Sequence, residues 1–92
     1  INGNNFLACI TTAQNALKDY PYTSMREDLS ILLLRAKHKL GSESVLEKKE
    51  ERMRETIDEY YAFKNEFPES KYMKEVEAIY KDASKYVKEL NE

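Results

Sequence analysis

The sequence is poor both in the residues that interrupt regular structure and in those that carry chemistry. Of its 92 residues, two are glycine, two are proline and one is cysteine. So little glycine and proline, beside 35% charged residues, argues against a β-rich or disordered chain and suits packed helices. A single cysteine excludes an internal disulfide. The net charge of −2, with both signs interspersed, excludes a global pull towards nucleic acid. No apolar run approaches the ~20 residues needed to cross a bilayer. The opening Ile1-Asn2-Gly3-Asn4-Asn5 has neither the basic segment nor the apolar core of a signal peptide. Phe6-Leu7-Ala8-Cys9 has the outline of a lipoprotein cleavage site, but nothing apolar precedes it and helical pattern follows. There is no glycine-rich phosphate loop, no Cys/His cluster and no serine or cysteine beside a base. The carboxylates are scattered, with no pair set apart for acid–base work. No catalytic, cofactor-binding or metal-binding residue is expected, nor any cofactor.

What the chain does have is a repeated turn. Tyr60, Phe63 and Phe67 fall at helical spacing, and Pro68 biases Phe67 out of the helical region. Ser70 is then placed to cap a following helix that opens near Lys71 and Tyr72. Forty-seven residues earlier, Ala13, Ala16, Tyr20, Pro21 and Thr23 occupy the same relative positions, and Ala36 precedes Ala83 by the same interval. This predicts an all-α chain of four antiparallel helices in two hairpins, residues 5–41 and 44–90.

The first helix is expected from Asn5 to Asp19, with a core stripe of Phe6, Ile10, Ala13, Leu17 and Tyr20. Beside that stripe Ala8, Cys9, Thr12 and Ala16 form a small-residue face suited to a close neighbour, the second helix of a preceding repeat. Cys9 reads as a small packing residue, with no group beside it to lower its pKa. Ser24-Met25-Arg26-Glu27 reads as a capping box opening the second helix. There Leu29, Leu32, Leu33, Ala36 and Leu40 share a face while Ile31 and Leu34 point elsewhere, so this helix is expected between the first and the third. His38 reads as a surface residue without a partner, and Gly41 as a left-handed stop.

Ser44-Val45-Leu46-Glu47 reads as a second capping box, opening a helix of about 22 residues and ~33 Å that ends near Phe67. Its first half alternates acids and bases and includes Glu50 with Arg54 one turn on. Its second half has two apolar faces, Tyr60/Phe63/Phe67 and Met53/Ile57/Tyr61, one for each hairpin. The charged half is either a solvated overhang or an arm that docks a partner through Lys48, Arg52, Glu55 and Tyr61. The fourth helix is expected from Lys71 to Leu90, with Met73, Val76, Tyr80, Ala83, Val87 and Leu90 inward and a lysine-rich, mixed-charge outer side. The abrupt start and stop read as a piece of a longer protein.

The helix–Pro turn–helix unit resembles tetratricopeptide (TPR) repeats, Ala36 and Ala83 matching the small residue of their second helices. The interval of 47 exceeds the usual period of about 34; the Gly41–Ser44 link and the charged extension of the third helix accommodate the excess. More narrowly, Ala16-Leu17-Lys18-Asp19-Tyr20-Pro21-Tyr22-Thr23, the charged run, and Asp58 to Tyr72 with its Tyr-x-x-Phe-x-x-x-Phe-Pro-x-Ser-x-Tyr pattern are similar to the C-terminal repeats of the BamD (YfiO-like) family. These are TPR lipoproteins of the outer-membrane β-barrel assembly machinery of Gram-negative bacteria. The resemblance implies a right-handed superhelical, non-catalytic scaffold at the periplasmic face of the outer membrane. It also implies contacts with the periplasmic domains of BamA and with accessory lipoproteins, no nucleic-acid partner, and a membrane link only through a lipid anchor outside these residues. A generic TPR adaptor of another complex and a helical accessory domain of a periplasmic enzyme are the alternatives.

Overall fold

Four helices form close to where the stripes place them. A computed structural model describes residues 3–87, with side chains from residue 5 on: α1 (Gly3–Asp19), α2 (Arg26–Ser42), α3 (Leu46–Glu66) and α4 (Met73–Ser84), and no strand among the described residues. Each helix has a basic residue in its last turn (Lys18, Lys39, Lys64, Lys81), where a cation suits the helix dipole.

The two proline turns are built alike, bond for bond. The amides of Tyr20, Thr23, Arg26 and Leu29 reach the carbonyls of Ala16, Tyr20, Thr23 and Met25 at 2.9, 3.1, 3.2 and 2.8 Å. The amides of Phe67, Ser70, Met73 and Val76, each 47 residues on, reach those of Phe63, Phe67, Ser70 and Tyr72 at 2.7, 3.1, 3.1 and 2.9 Å. The side-chain cap repeats too: Thr23 Oγ1 accepts from the Met25 amide at 3.2 Å, and Ser70 Oγ from the Tyr72 amide at 3.0 Å. Thr23 therefore does the work expected of Ser24. A hydroxyl oxygen two residues ahead of the donating amide closes a local turn, and the capping box at Ser24 does not form.

The hairpin cores repeat at the same interval. Ile10, Ala13, Leu33, Ala36 and Leu40 pack between α1 and α2, with Phe6 at the edge. Met53, Ile57, Ala83 and Val87 pack between α3 and α4, with Tyr80 at the edge. The small Ala36 and Ala83 are 5% and 0% exposed, which lets the helices of each hairpin approach. A third cluster joins the hairpins: Ile31 and Leu34 of α2 with Tyr60 and Phe63 of α3 and Val76 and Ile79 of α4. Thus α2 does lie between α1 and α3, as its two apolar sides require.

Several expectations need correction. Gly41 is not a left-handed stop, since no described residue has positive φ and α2 runs on to Ser42. Its role is clearance: a Cβ there would sit 3.0 Å from Met53 Sδ, and Met53 is fully buried. Ser44 does not cap α3. Its hydroxyl donates to the Leu40 carbonyl at 2.6 Å and so serves the end of α2. Tyr20 is 69% exposed and Leu32 43%, so neither joins the core stripe assigned to it. Tyr60 and Phe63 do not serve a single hairpin: they lie among three helices, with Ile31 and Leu34 of α2 as well as Val76 and Ile79 of α4. Helix α4 is shorter than expected at both ends. Lys71 and Tyr72 belong to the turn, and beyond Ser84 the amides of Lys85, Tyr86 and Val87 bond to carbonyls three residues back, tightening the chain out of the α-helix. Leu90 lies outside the described residues.

Phe63 is 2% exposed and touches both hairpins, so Phe63→Ala should cost about 3–5 kcal/mol, while Tyr20→Ala should stay within about 0.5 kcal/mol. Urea denaturation midpoints of the two variants check this. Equal midpoints would show that Phe63 does not anchor the hairpin junction.

Candidate interaction surfaces

A row of polar pairs lines the seam where α2 meets the second hairpin. Opposite α3, the Arg26 guanidinium pairs with Glu66 and also donates to the Pro21 carbonyl at 3.2 Å, so one side chain links the first proline turn to the end of α3. Lys37 pairs with Glu59 at 3.0 Å. Opposite α4, Ser70 donates to Glu27, Tyr72 donates to Asp28 Oδ1 at 3.0 Å, and Arg35 makes a two-pronged pair with Glu75 at 2.7 and 2.6 Å. His38 Nε2 lies 2.6 Å from Asp82 Oδ2, and the ring is mostly buried. The expectation of a partnerless His38 is thus corrected: its partner sits 44 positions away, on a helix that α2 meets only in the fold. These contacts advance together along both helices, so α2 and α4 run parallel, whereas Arg26–Glu66 and Lys37–Glu59 mark α2 and α3 as antiparallel.

The second hairpin carries an aromatic cluster. Tyr60 stacks on Tyr80 at 4.4 Å between centroids, and Tyr61 meets both rings edge-on at 4.9 and 5.9 Å. The Tyr60 hydroxyl donates to the Glu77 carboxylate at 3.0 Å and accepts from Lys64 Nζ at 3.3 Å. Burial, as the largest cause, raises the Tyr60 pKa above the usual phenol value. The Tyr61 value is raised chiefly by its hydrogen bond with Tyr80.

The four residues expected on a docking arm do not form one patch. Lys48, Arg52 and Glu55 follow at steps of four and three and share a face of α3. Lys48 and Glu55 are exposed, but Arg52 is half-buried, donating to Ser44 Oγ at 3.1 Å. Tyr61 falls on the opposite side of the helix and rests against α4. The Glu50–Arg54 pair is present at 3.1 Å. At the start of the arm Leu46 is 84% exposed, and Lys49 lies over the Tyr86 ring at 5.1 Å.

Compared with protein-family models and with curated proteins, the chain matches none. Among the described residues no group of three His, Cys, Asp or Glu could hold a metal, and no helix is long and apolar enough to cross a membrane.

Two features escaped the pattern reading. The seam pairs join residues 22 to 44 apart with no local signature. The exposed Met25 and Leu32, by contrast, could have been found from their counterparts Tyr72 and Ile79, because the repeat interval relates them in sequence.

The seam has a pH signature. Hydrogen bonding to Arg35, then its charge, holds the Glu75 carboxyl below its usual value against desolvation. A folded value below the unfolded one adds stability above the ordinary glutamate range of about 4.3, and that stability is lost as the pH falls through the folded value. Arg35→Gln should therefore flatten the acid side of the stability–pH curve and leave its neutral side least changed in slope. Denaturation midpoints across the acid range check this, and parallel curves for the two proteins would refute it.

Proposed function

We propose that the chain is a non-catalytic protein–protein interaction scaffold, a TPR-like right-handed superhelical element from the C-terminal part of a BamD-like component of the outer-membrane β-barrel assembly machinery. The observation that carries this reading is the twofold construction of the hairpin. Turn hydrogen bonds, hydroxyl caps and hairpin cores all recur at one interval. The residues that carry the resemblance are the ones that build these features. Tyr20/Phe67, Pro21/Pro68 and Thr23/Ser70 form the turns, and Ala36/Ala83 the close approach within each hairpin. Stacked hairpins bury their side chains against each other and leave extended surfaces for partners, so their usefulness lies in binding.

On this reading the scaffold works at the periplasmic face of the outer membrane, anchored by lipid elsewhere in the protein, and meets the periplasmic domains of BamA and accessory lipoproteins. The face of α3 at Lys48, Arg52 and Glu55, where Lys48 and Glu55 are exposed and both signs of charge are present, is the part of the arm that remains for that contact, with Tyr61 set apart from it. Charges of both signs on an exposed helix face give register and association rate more than affinity.

Capture of purified BamA periplasmic domains by the tagged full-length protein tests the assignment. The unaltered protein should retain them, and Lys48→Glu with Arg52→Glu should weaken capture about tenfold, less so at high salt. Arg52 holds Ser44, so an unchanged helical melting curve is required of the variant. No capture by the unaltered protein would reject BamA as partner. Capture undiminished in the variant would move the interface away from α3.

A further inference from the structure

The repeat interval turns the second hairpin into a map of what the first hairpin should hold. On the second hairpin, Val76 and Ile79 of α4 are 0% and 6% exposed because Ile31 and Leu34 of α2 share their cluster, with Tyr72 packed at its edge. Their counterparts 47 residues earlier are Leu29, Leu32 and Met25 of α2. These are equally apolar, yet Leu29 is only half-buried, Leu32 is 43% exposed and Met25 is 55% exposed. On the α3 side, Phe63 and Glu59 correspond to Ala16 and Thr12 of α1, which are half-buried and exposed. The first hairpin thus presents, uncovered, the surface that α2 covers on the second.

We propose that this surface of α1 and α2 docks an amphipathic helix lying parallel to α2, the second helix of another hairpin of the same build. The proposal rests on the repeat construction in the reading above and not on the partner named there. The occupant's chemistry follows from the occupied copy. It needs two large aliphatic side chains three residues apart, in the places of Ile31 and Leu34, facing Leu29 and Leu32. Charge adds direction. In the occupied copy Arg26 faces Glu66, Arg35 faces Glu75, Lys37 faces Glu59 and His38 faces Asp82. The corresponding residues of the first hairpin are Asp19, Asp28, Thr12 and Arg35. The docked helix should therefore keep the first two cations, carry an uncharged residue in the third place and an acid in the fourth.

A second copy offers no such helix at its other end. The counterparts of Ile31 and Leu34 on α4 are Ala78 and Lys81, both exposed, so α4 lacks the aliphatic pair.

The probe is a synthetic peptide of Arg26–Ser42 carrying Lys37→Gln and His38→Glu, titrated into the isotope-labelled chain and followed by amide chemical shifts. Saturable shifts are expected at Thr12, Ala16, Met25, Leu29 and Leu32, and none at Ala78 or Lys81. Leu32→Asp in the chain, at an already exposed position, should weaken binding about tenfold without lowering the melting temperature. Reversing the charges at the peptide's Arg26 and Arg35 positions should weaken it similarly. Absence of saturable shifts, shifts centred on α4, or an unaltered affinity of the Leu32→Asp chain would overturn the proposal. So would a dimer of the chain alone that Leu32→Asp dissolves, since the face would then belong to a second copy. None of these outcomes depends on capture of BamA domains, so the two readings fail separately.

Discussion

A helix that is apolar around most of its circumference has to be covered around most of its circumference, and α2 is such a helix. Leu33, Ala36 and Leu40 turn to α1, while Ile31 and Leu34 turn to α3 and α4 and are 2% and 0% exposed. Burying two such side chains favours the covered state by roughly 1.5–3 kcal/mol each. The loops that join the helices are short and fix each helix antiparallel to the next, but they do not decide how one hairpin sits on the other. That is decided by α2, through the aliphatic pair and through the glycine that lets Met53 close over its end. The second hairpin's core is in this sense only partly its own: Tyr60, Phe63, Val76 and Ile79 are buried with α2 in place.

The ion pairs of the seam play a different part. Arg26–Glu66 and Arg35–Glu75 have side chains at least a third exposed, and pairs of that kind contribute about 0–1 kcal/mol. They are too weak to hold the hairpins together against the apolar cluster. What they supply is register. A shift of α2 by one turn along α4 would break Tyr72–Asp28, Arg35–Glu75 and His38–Asp82 at once, while leaving aliphatic contacts that tolerate sliding. Hydrophobic burial sets how much is covered, and directional polar bonds set where.

Helix number, the turn positions and the sandwiching of α2 were legible in the sequence because each is a periodic or local signal. Stripes give helices, and Pro21 and Pro68 give their ends. What was not legible depends on partners brought in by folding. Ser24 and Thr23 are both acceptable caps by residue type, and only the turn geometry selects Thr23. Gly41 is a good helix stop by composition, yet the helix runs through it, and what the glycine supplies is the space that Met53 fills. His38 has no neighbour of consequence within its own helix, and its partner Asp82 comes from α4. For the arm, linear proximity grouped Tyr61 with Lys48, Arg52 and Glu55, although helical rotation sets it on the far side.

The repeat is not a copy, and its departures are directional. Where the first hairpin has Ala13 facing Leu33, the second has Tyr60 stacked on Tyr80, a bulkier filling whose buried phenol reaches out to Glu77 and Lys64. Where α2 has Ile31 and Leu34, α4 has Ala78 and Lys81. Covering Lys81 with the apolar face of another hairpin would desolvate a charge in the place where α2 has Leu34, so apolar stacking beyond α4 is disfavoured. Covering Leu29, Leu32 and Met25 would cost no such desolvation and would remove apolar surface from water. The same pair of positions is therefore adhesive on α2, where it is aliphatic, and non-adhesive on α4, where it is not.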